Sequence, residues 1–183
     1  MGRDKAWLEL GGKAMIEHVI AALVPVTAKV AIIANSPGYE RLGFPVFADS
    51  RAGVGPLEAI RTALSNARTS RVILVGCDLP FVTADLFKRM LSIEGDHCAT
   101  VPIGVDGSLE PLCAIYRPEA LPAVTDLIRE GERKVSLLFD RVPTRLVEFE
   151  ELRDLNGSEV FFENINTPED YARALERLRA SRG

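Results

Sequence analysis

Asp78 stands in Cys77-Asp-Leu-Pro80, two residues beyond Gly76, which ends the apolar run Val72-Ile-Leu-Val75. A carboxylate leaving the end of a buried strand projects into the crevice at the carboxyl edge of an open α/β sheet, where ligands bind. One such oxygen ligand suits Mg²⁺, which keeps several waters and is shared between one or two carboxylates and substrate phosphates. A helix or turn cap ahead of Pro80 is the plain alternative. Gly53-Val-Gly-Pro-Leu57 leads into helical spacing, and glycine there lets backbone N–H groups approach a phosphate or base closely. An ordinary loop explains the same cluster. Neither a GxGxxG dinucleotide fingerprint nor a GxxxxGK[ST] phosphate loop occurs, which argues against a dehydrogenase.

Other polar groups allow similar double readings. In Arg3-Asp4-Lys5, Lys5 could neutralise a phosphate that Asp4 helps to orient, or the cluster is a solvated tail. Arg133-Lys134, after Glu130-Gly-Glu132, offers an anion site near a helix start or simple exposed charge. Asn164 and Asn166 alternate along an extended segment before Thr167-Pro168, so both amides share a face at a helix N-terminus. They could hold a polar ring or phosphate, or serve as turn residues. Asn35 and Asp49 each follow a short apolar run, as Asp78 does. His18 and His97 are too isolated for a metal cluster, and Trp7 reads most simply as core.

The elements that must carry these residues alternate. Ile16, Val19, Ile20 and Leu23 mark a helix over 13–24; 30–33 and, more weakly, 45–48 read as strands; Leu57, Ile60 and Leu64 mark a second helix before the strand 72–75. Then follow a helix near 83–91, a strand near 98–103, a turn at Gly104–Gly107, a strand through Tyr116, helices near 118–130 and 134–140, and a strand near 144–149. A closing helix begins at Thr167-Pro168. This order predicts a single α/β domain over 1–183, with a mostly parallel sheet covered by helices on both faces.

Composition narrows the class. Of 183 residues, 22 are Lys or Arg and 26 Asp or Glu, a net charge of −4, which argues against a broad basic surface for nucleic acid. Apolar runs such as 72–75 are far shorter than the roughly 20 residues of a membrane span. Three cysteines (Cys77, Cys98, Cys113) without CxxC spacing make neither a disulfide framework nor a zinc site, and no signal peptide is visible, so a cytoplasmic location is expected.

Taken in order, Met1-Gly-Arg-Asp-Lys5, Leu8-Glu-Leu-Gly-Gly-Lys13, Asn35, Asp49, Gly55-Pro-Leu57, Cys77-Asp-Leu-Pro80, Glu130-Gly-Glu-Arg-Lys-Val135 and Phe162-Glu-Asn-Ile-Asn-Thr-Pro-Glu-Asp170 resemble the molybdenum cofactor guanylyltransferase family, MobA. The resemblance implies a single-domain, Rossmann-like three-layer fold that transfers GMP from GTP to molybdenum-bearing molybdopterin, with Mg²⁺, releasing pyrophosphate. By that resemblance Asp78 ligates the metal, Lys5 contacts the triphosphate, and Asn35, Asp49, Gly55, Pro56 and Leu57 line the nucleotide site. Asn164 and Asn166, with Arg133 and Lys134, would serve the pterin or phosphate end. GTP and molybdopterin are the implied partners, with transient contacts to molybdoenzymes or other cofactor-synthesis proteins.

Two departures bear on this expectation. Family members carry a first strand ending in Leu-Ala-Gly-Gly-x-Ser-x-Arg upstream of the Met-Gly-x-Asp-Lys segment; a sheet without it would expose a hydrogen-bonding edge and a groove. Also, Glu58 and Ala59 replace the Ala-Gly more common in relatives, so Glu58 either accepts from guanine's N1–H and amino group or faces solvent. A cytidylyltransferase acting on the same pterin, a related nucleotidyltransferase, or a non-catalytic chain that binds a nucleotide or partner are the alternatives.

Overall fold

The computed structural model describes residues 4–49 and 55–180. Asp4 caps a three-residue 3₁₀ turn, Lys5–Trp7, which leads into a hairpin of β1 (Glu9–Leu10) and β2 (Lys13–Ala14). Gly11 and Gly12, at φ 63° and 92°, form its two-residue loop, the geometry in which both central residues need positive φ. The helix expected over 13–24 begins two residues later, as α1 (Met15–Leu23), because 13–14 pair in the hairpin.

Short strands β3 (Ile32–Ile33) and β4 (Val46–Phe47) pair in parallel. α2 (Pro56–Asn66) then crosses to β5 (Val72–Val75), followed by α3 (Ala84–Ile93), β6 (Ala99–Pro102) and β7 (Cys113–Tyr116). The remaining elements are α4 (Leu121–Arg129), α5 (Ser136–Phe139), β8 (Thr144–Val147) and α6 (Pro168–Ala180).

The main sheet runs β5-β7-β6-β8. β5, β6 and β8 point one way and β7 runs against them. The exception has a local cause. β6 reaches β7 through a turn at Gly104–Gly107 (Gly107 N–H to Gly104 O, 2.9 Å; Gly104 N–H to Ser108 O, 2.8 Å), and parallel neighbours would need a helical crossover. Along β5, Val72 and Leu74 pack under α2 and α4, whereas Ile73 and Val75 pack under α1 and α3. Helices therefore cover both faces, and the strand is apolar at every position for that reason.

The edge of β5 away from β7 has no strand partner among the described residues. All four β5 residues are half-buried, whereas those of β6 and β7 are buried. α2 lies across both β5 and β3. No helix among the described residues is long and apolar enough to cross a membrane.

A charged knot closes the opposite end of the sheet. Glu94, at the end of α3 and only 3% exposed, takes Arg71 before β5 and Arg117 after β7 (3.4 Å), and Arg117 also donates to Gly95 O at 2.5 Å. Glu94 Oε2 and Arg117 Nε have no hydrogen-bond partner among the described residues. Removing the charge takes from Arg117 its buried carboxylate partner while Arg71 stays solvated, so Glu94→Gln should lower the unfolding free energy by about 1–2 kcal/mol in urea titration.

Beyond the β6–β7 turn, the Ser108 hydroxyl sits between Asp106 Oδ1 (2.6 Å) and Glu110 Oε1 (3.1 Å). Burial pushes the half-buried Glu110 carboxyl from 4.5 up to about 7; the Ser108 hydrogen bond opposes the shift, and the charges of Asp106 and Asp78 add to it. A carboxyl raised in the fold contributes stability that is complete below about pH 4.5 and lost as pH rises through about 7. Glu110→Gln should therefore gain roughly 1–2 kcal/mol over the parent chain at pH 8, after discounting for solvent screening, and nothing at pH 4.5. Urea denaturation at the two pH values measures the difference.

Candidate functional site

β5 ends at Val75, and Gly76-Cys-Asp78 turns away from the sheet, with Leu79 N–H returning to Gly76 O at 3.3 Å. Leu79 is buried and anchors the turn between α1 and α3, which leaves Asp78 at the carboxyl end of β5 with its side chain 24% exposed. Its carboxylate folds back over Gly76: a Cβ at that position would lie 2.5 Å from Asp78 Oδ1. Only glycine leaves this room.

Two other segments converge on Asp78. The backbone N–H of Ile165 donates to Asp78 O at 2.9 Å. Ile165 is 1% exposed, whereas Asn164 and Asn166 on either side are exposed, so the alternation expected for this segment puts both amides on the outer face. The Lys5 ammonium then donates to Asn166 Oδ1 at 2.5 Å and lies 4.0 Å from Asp78 Oδ2. Residues 5, 78 and 166 thus form one cluster of ammonium, carboxylate and amide.

The N-terminus of α6 begins at Pro168 with Thr167 as its cap, as its sequence implies. Asp170 Oδ2 accepts from Asn166 N–H (3.0 Å) and Thr167 N–H (2.8 Å), while Asp170 N–H donates to Thr167 Oγ1 (3.1 Å). These backbone donors hold the Asp170 carboxyl down at about 2. The helix start is filled from within the chain, and what faces outward is the pair of asparagine side chains.

A second polar cluster gathers at the ends of β3 and β4. Asn35 Oδ1 accepts from Asp49 N–H at 2.9 Å, and Asp49 Oδ1 accepts from Thr62 Oγ1, on α2, at 2.8 Å. Thr62 escaped the sequence reading because nothing in its spacing sets it apart from the helix face around it. Cys77 packs with Ala6, Ile32 and Tyr39, so the segment bearing Asp78 and the β3–β4 pair share one apolar cluster.

Gly55 caps α2 at φ 81° and ψ −150°, a conformation for glycine, and Pro56 takes the first helical position. Leu57 is fully buried in the main core, so only its backbone is left for a ligand. Glu58 does not face solvent: it is 1% exposed and both its oxygens accept from Arg61 (2.5 and 2.9 Å).

Arg133 and Lys134 lie exposed on the loop between α4 and α5, and no hydrogen bond or ion pair joins them to Lys5, Asp78 or Asn166. Arg3, Gly53 and Val54 lie outside the described residues. His18 Nε2 meets Leu10 O at 2.7 Å and ties α1 to the hairpin, a packing role. Trp7 is half-buried, stacked on Tyr39 with ring centroids 4.9 Å apart.

Among the described residues no three His, Cys, Asp or Glu side chains group to cage a metal. The donor set at Asp78 is a single accessible carboxylate beside an ammonium and an amide. That set fits Mg²⁺ held jointly with substrate phosphates and waters, and does not fit a structural zinc or calcium site.

Comparison with known proteins agrees. Residues 1–145 match the model of the MobA-like NTP transferase domain. A probable molybdenum cofactor guanylyltransferase of Carboxydothermus hydrogenoformans is 34% identical over 96% of this chain and 89% of its own length; that of Pelotomaculum thermopropionicum is 37% identical over 100% and 89%. The crystal structure of molybdopterin-guanine dinucleotide biosynthesis protein A from Archaeoglobus fulgidus superposes with a TM-score of 0.82 at 26% identity, over 98% of this chain and 92% of that one. With the fold, the Lys5–Asp78–Asn166 cluster and these likenesses in agreement, the chain belongs to the MobA-like NTP transferase family, a family of nucleotidyltransferases.

Proposed function

We propose that the chain transfers GMP from GTP to molybdenum-bearing molybdopterin, forming the guanine dinucleotide cofactor and releasing pyrophosphate. The observation that carries this reading is the meeting of Lys5, Asp78 and Asn166, three segments remote in sequence, at one strand end. A terminal phosphate oxygen of the acceptor attacks the α-phosphorus of GTP as the bond to pyrophosphate breaks. Positioning and neutralisation of growing charge are then what the protein must supply.

In this reading Lys5 contacts the triphosphate and stabilises the departing pyrophosphate. Asn166, which holds the Lys5 ammonium, faces the acceptor's pterin end together with Asn164, while Arg133 and Lys134 attract the acceptor's phosphate from the exposed α4–α5 loop. Asn35, Asp49, the backbone of Gly55, Pro56 and Leu57, and Asp78 line the nucleotide site. Asp78 would hold Mg²⁺, which when bound neutralises phosphate charge. The substrates fit a cytoplasmic reaction.

Thermal unfolding tests the reading directly. With Mg²⁺ and GTP at about a hundred times Kd, apparent stability should rise by about 2.7 kcal/mol. CTP and ATP should give a smaller rise. Asp78→Asn should abolish the Mg²⁺-dependent part and lower turnover by roughly 10²–10³-fold. A CTP-selective rise would reassign the base, and no rise with any nucleotide would remove the proposal.

Gly76→Ala probes the same carboxylate without touching it. The added methyl displaces Asp78 Oδ1 from its place over the backbone, so the Mg²⁺ concentration for half-maximal turnover should rise by about tenfold or more. The thermal midpoint should stay near that of the parent chain. An unchanged Mg²⁺ requirement would mean that Asp78 holds no metal.

A further inference from the structure

Tyr39 is buried at 5% exposure and its hydroxyl donates to Asp4 Oδ2 at 2.6 Å. Asp4 Oδ1 accepts the Ala6 N–H at 3.2 Å and so caps the turn that carries Lys5. The two oxygens of one carboxylate therefore tie the Lys5 turn to the segment after β3. At the far end of the turn, Trp7 stacks on the Tyr39 ring, and the Arg41 guanidinium covers Trp7 at 3.6 Å. Lys5 lies between these two anchors.

Such an arrangement matters because a three-residue turn has little of its own to hold it. Its backbone bonds are Trp7 N–H to Asp4 O (3.1 Å) and Leu8 N–H to Lys5 O (3.0 Å). The Lys5 ammonium is a point charge on a flexible four-carbon stem, so its reach is only as definite as the position of its Cα. A displacement near 1 Å is enough to cost a large part of a positioning effect.

We propose that Tyr39 is a positioning residue for Lys5, holding Asp4 so that the turn presents the ammonium to the phosphates of the bound nucleotide. The inference rests on the reading of Lys5 as the triphosphate contact. The hydroxyl remains a donor throughout the working pH range, because burial first, and then the hydrogen bond and charge of Asp4, push Tyr39 well above the ordinary phenol range.

Tyr39→Phe tests this, since it keeps the ring and its stack on Trp7 and deletes only the donor. Amide hydrogen exchange gives a readout independent of turnover: Ala6, Trp7 and Leu8 should exchange about tenfold faster, with β6 and α2 unchanged. In guanylyl transfer, kcat should fall about tenfold while the KM for GTP stays within about twofold, because charge on the leaving pyrophosphate grows only in the transition state. In a Lys5→Ala background the same change should cost less than about twofold. Asp4→Ala, which removes both acceptor oxygens, should reproduce the exchange and kcat effects.

Unchanged exchange at 6–8, or an equal kcat loss in both backgrounds, would overturn the proposal. If the parent chain transfers no nucleotide, the functional reading fails by itself, and the exchange measurement still decides whether Tyr39 fixes the turn.

Discussion

One backbone hydrogen bond, from Ile165 N–H to the Asp78 carbonyl at 2.9 Å, joins the segment before α6 to the end of β5, and the site is assembled around it. Ile165 is buried with Leu10 of the hairpin, Met15 at the start of α1 and Ala174 of α6. That apolar cluster fixes which way the segment faces. With Ile165 turned inward, Asn164 and Asn166 must turn outward, and Asn166 arrives within reach of a lysine 161 positions earlier in the chain. A hydrophobic contact thereby sets the geometry of a polar one.

The Lys5–Asp78 pair is not there for stability. Its charges are 4.0 Å apart, with the lysine side chain 37% exposed, and pairs of this kind contribute about 0–1 kcal/mol. The pair persists because Asn166 holds the ammonium from one side while the Asp4 cap fixes the turn beneath it. Charges kept near each other at so little gain to the fold are available to a ligand. The knot around Glu94 is the contrast: it is buried, crowded by two guanidinium groups, and holds the far ends of β5 and β7 in place.

Much of the fold was legible because its elements bury both faces or one continuous stripe. β5 is apolar at all four positions, and α2 repeats Leu57, Ile60 and Leu64 toward the core; such patterns are local and survive without tertiary information. The β1–β2 hairpin was not legible, since two-residue strands are too short to show a period, although Gly11-Gly12 was a turn signal. The antiparallel course of β7 lay in the Gly104–Gly107 turn. In the candidate site, the strand-end position of Asp78 and the shared face of the two asparagines followed from spacing, whereas their roles came only from the resemblance. The fates of Glu58 and of the backbone donors at the α6 N-terminus did not follow from spacing, because each depends on a side chain three or four residues away choosing an internal partner, Arg61 in one case and Asp170 in the other.

Cys77, Cys113 and the two histidines are drawn away from nucleophilic roles by their surroundings. Burial first, with the charges of Asp78 and Asp4, pushes the Cys77 thiol up to about 11, although it adjoins Asp78, so the thiolate that attack requires is scarce. Cys113 is wholly buried and shifted further still. His18 and His97 each spend a ring nitrogen on a backbone carbonyl. Beside Asp78 stand an ammonium and an amide, groups suited to orienting a phosphate and neutralising its charge. Direct displacement between two phosphates, with no covalent intermediate on the protein, is the chemistry such a set can assist.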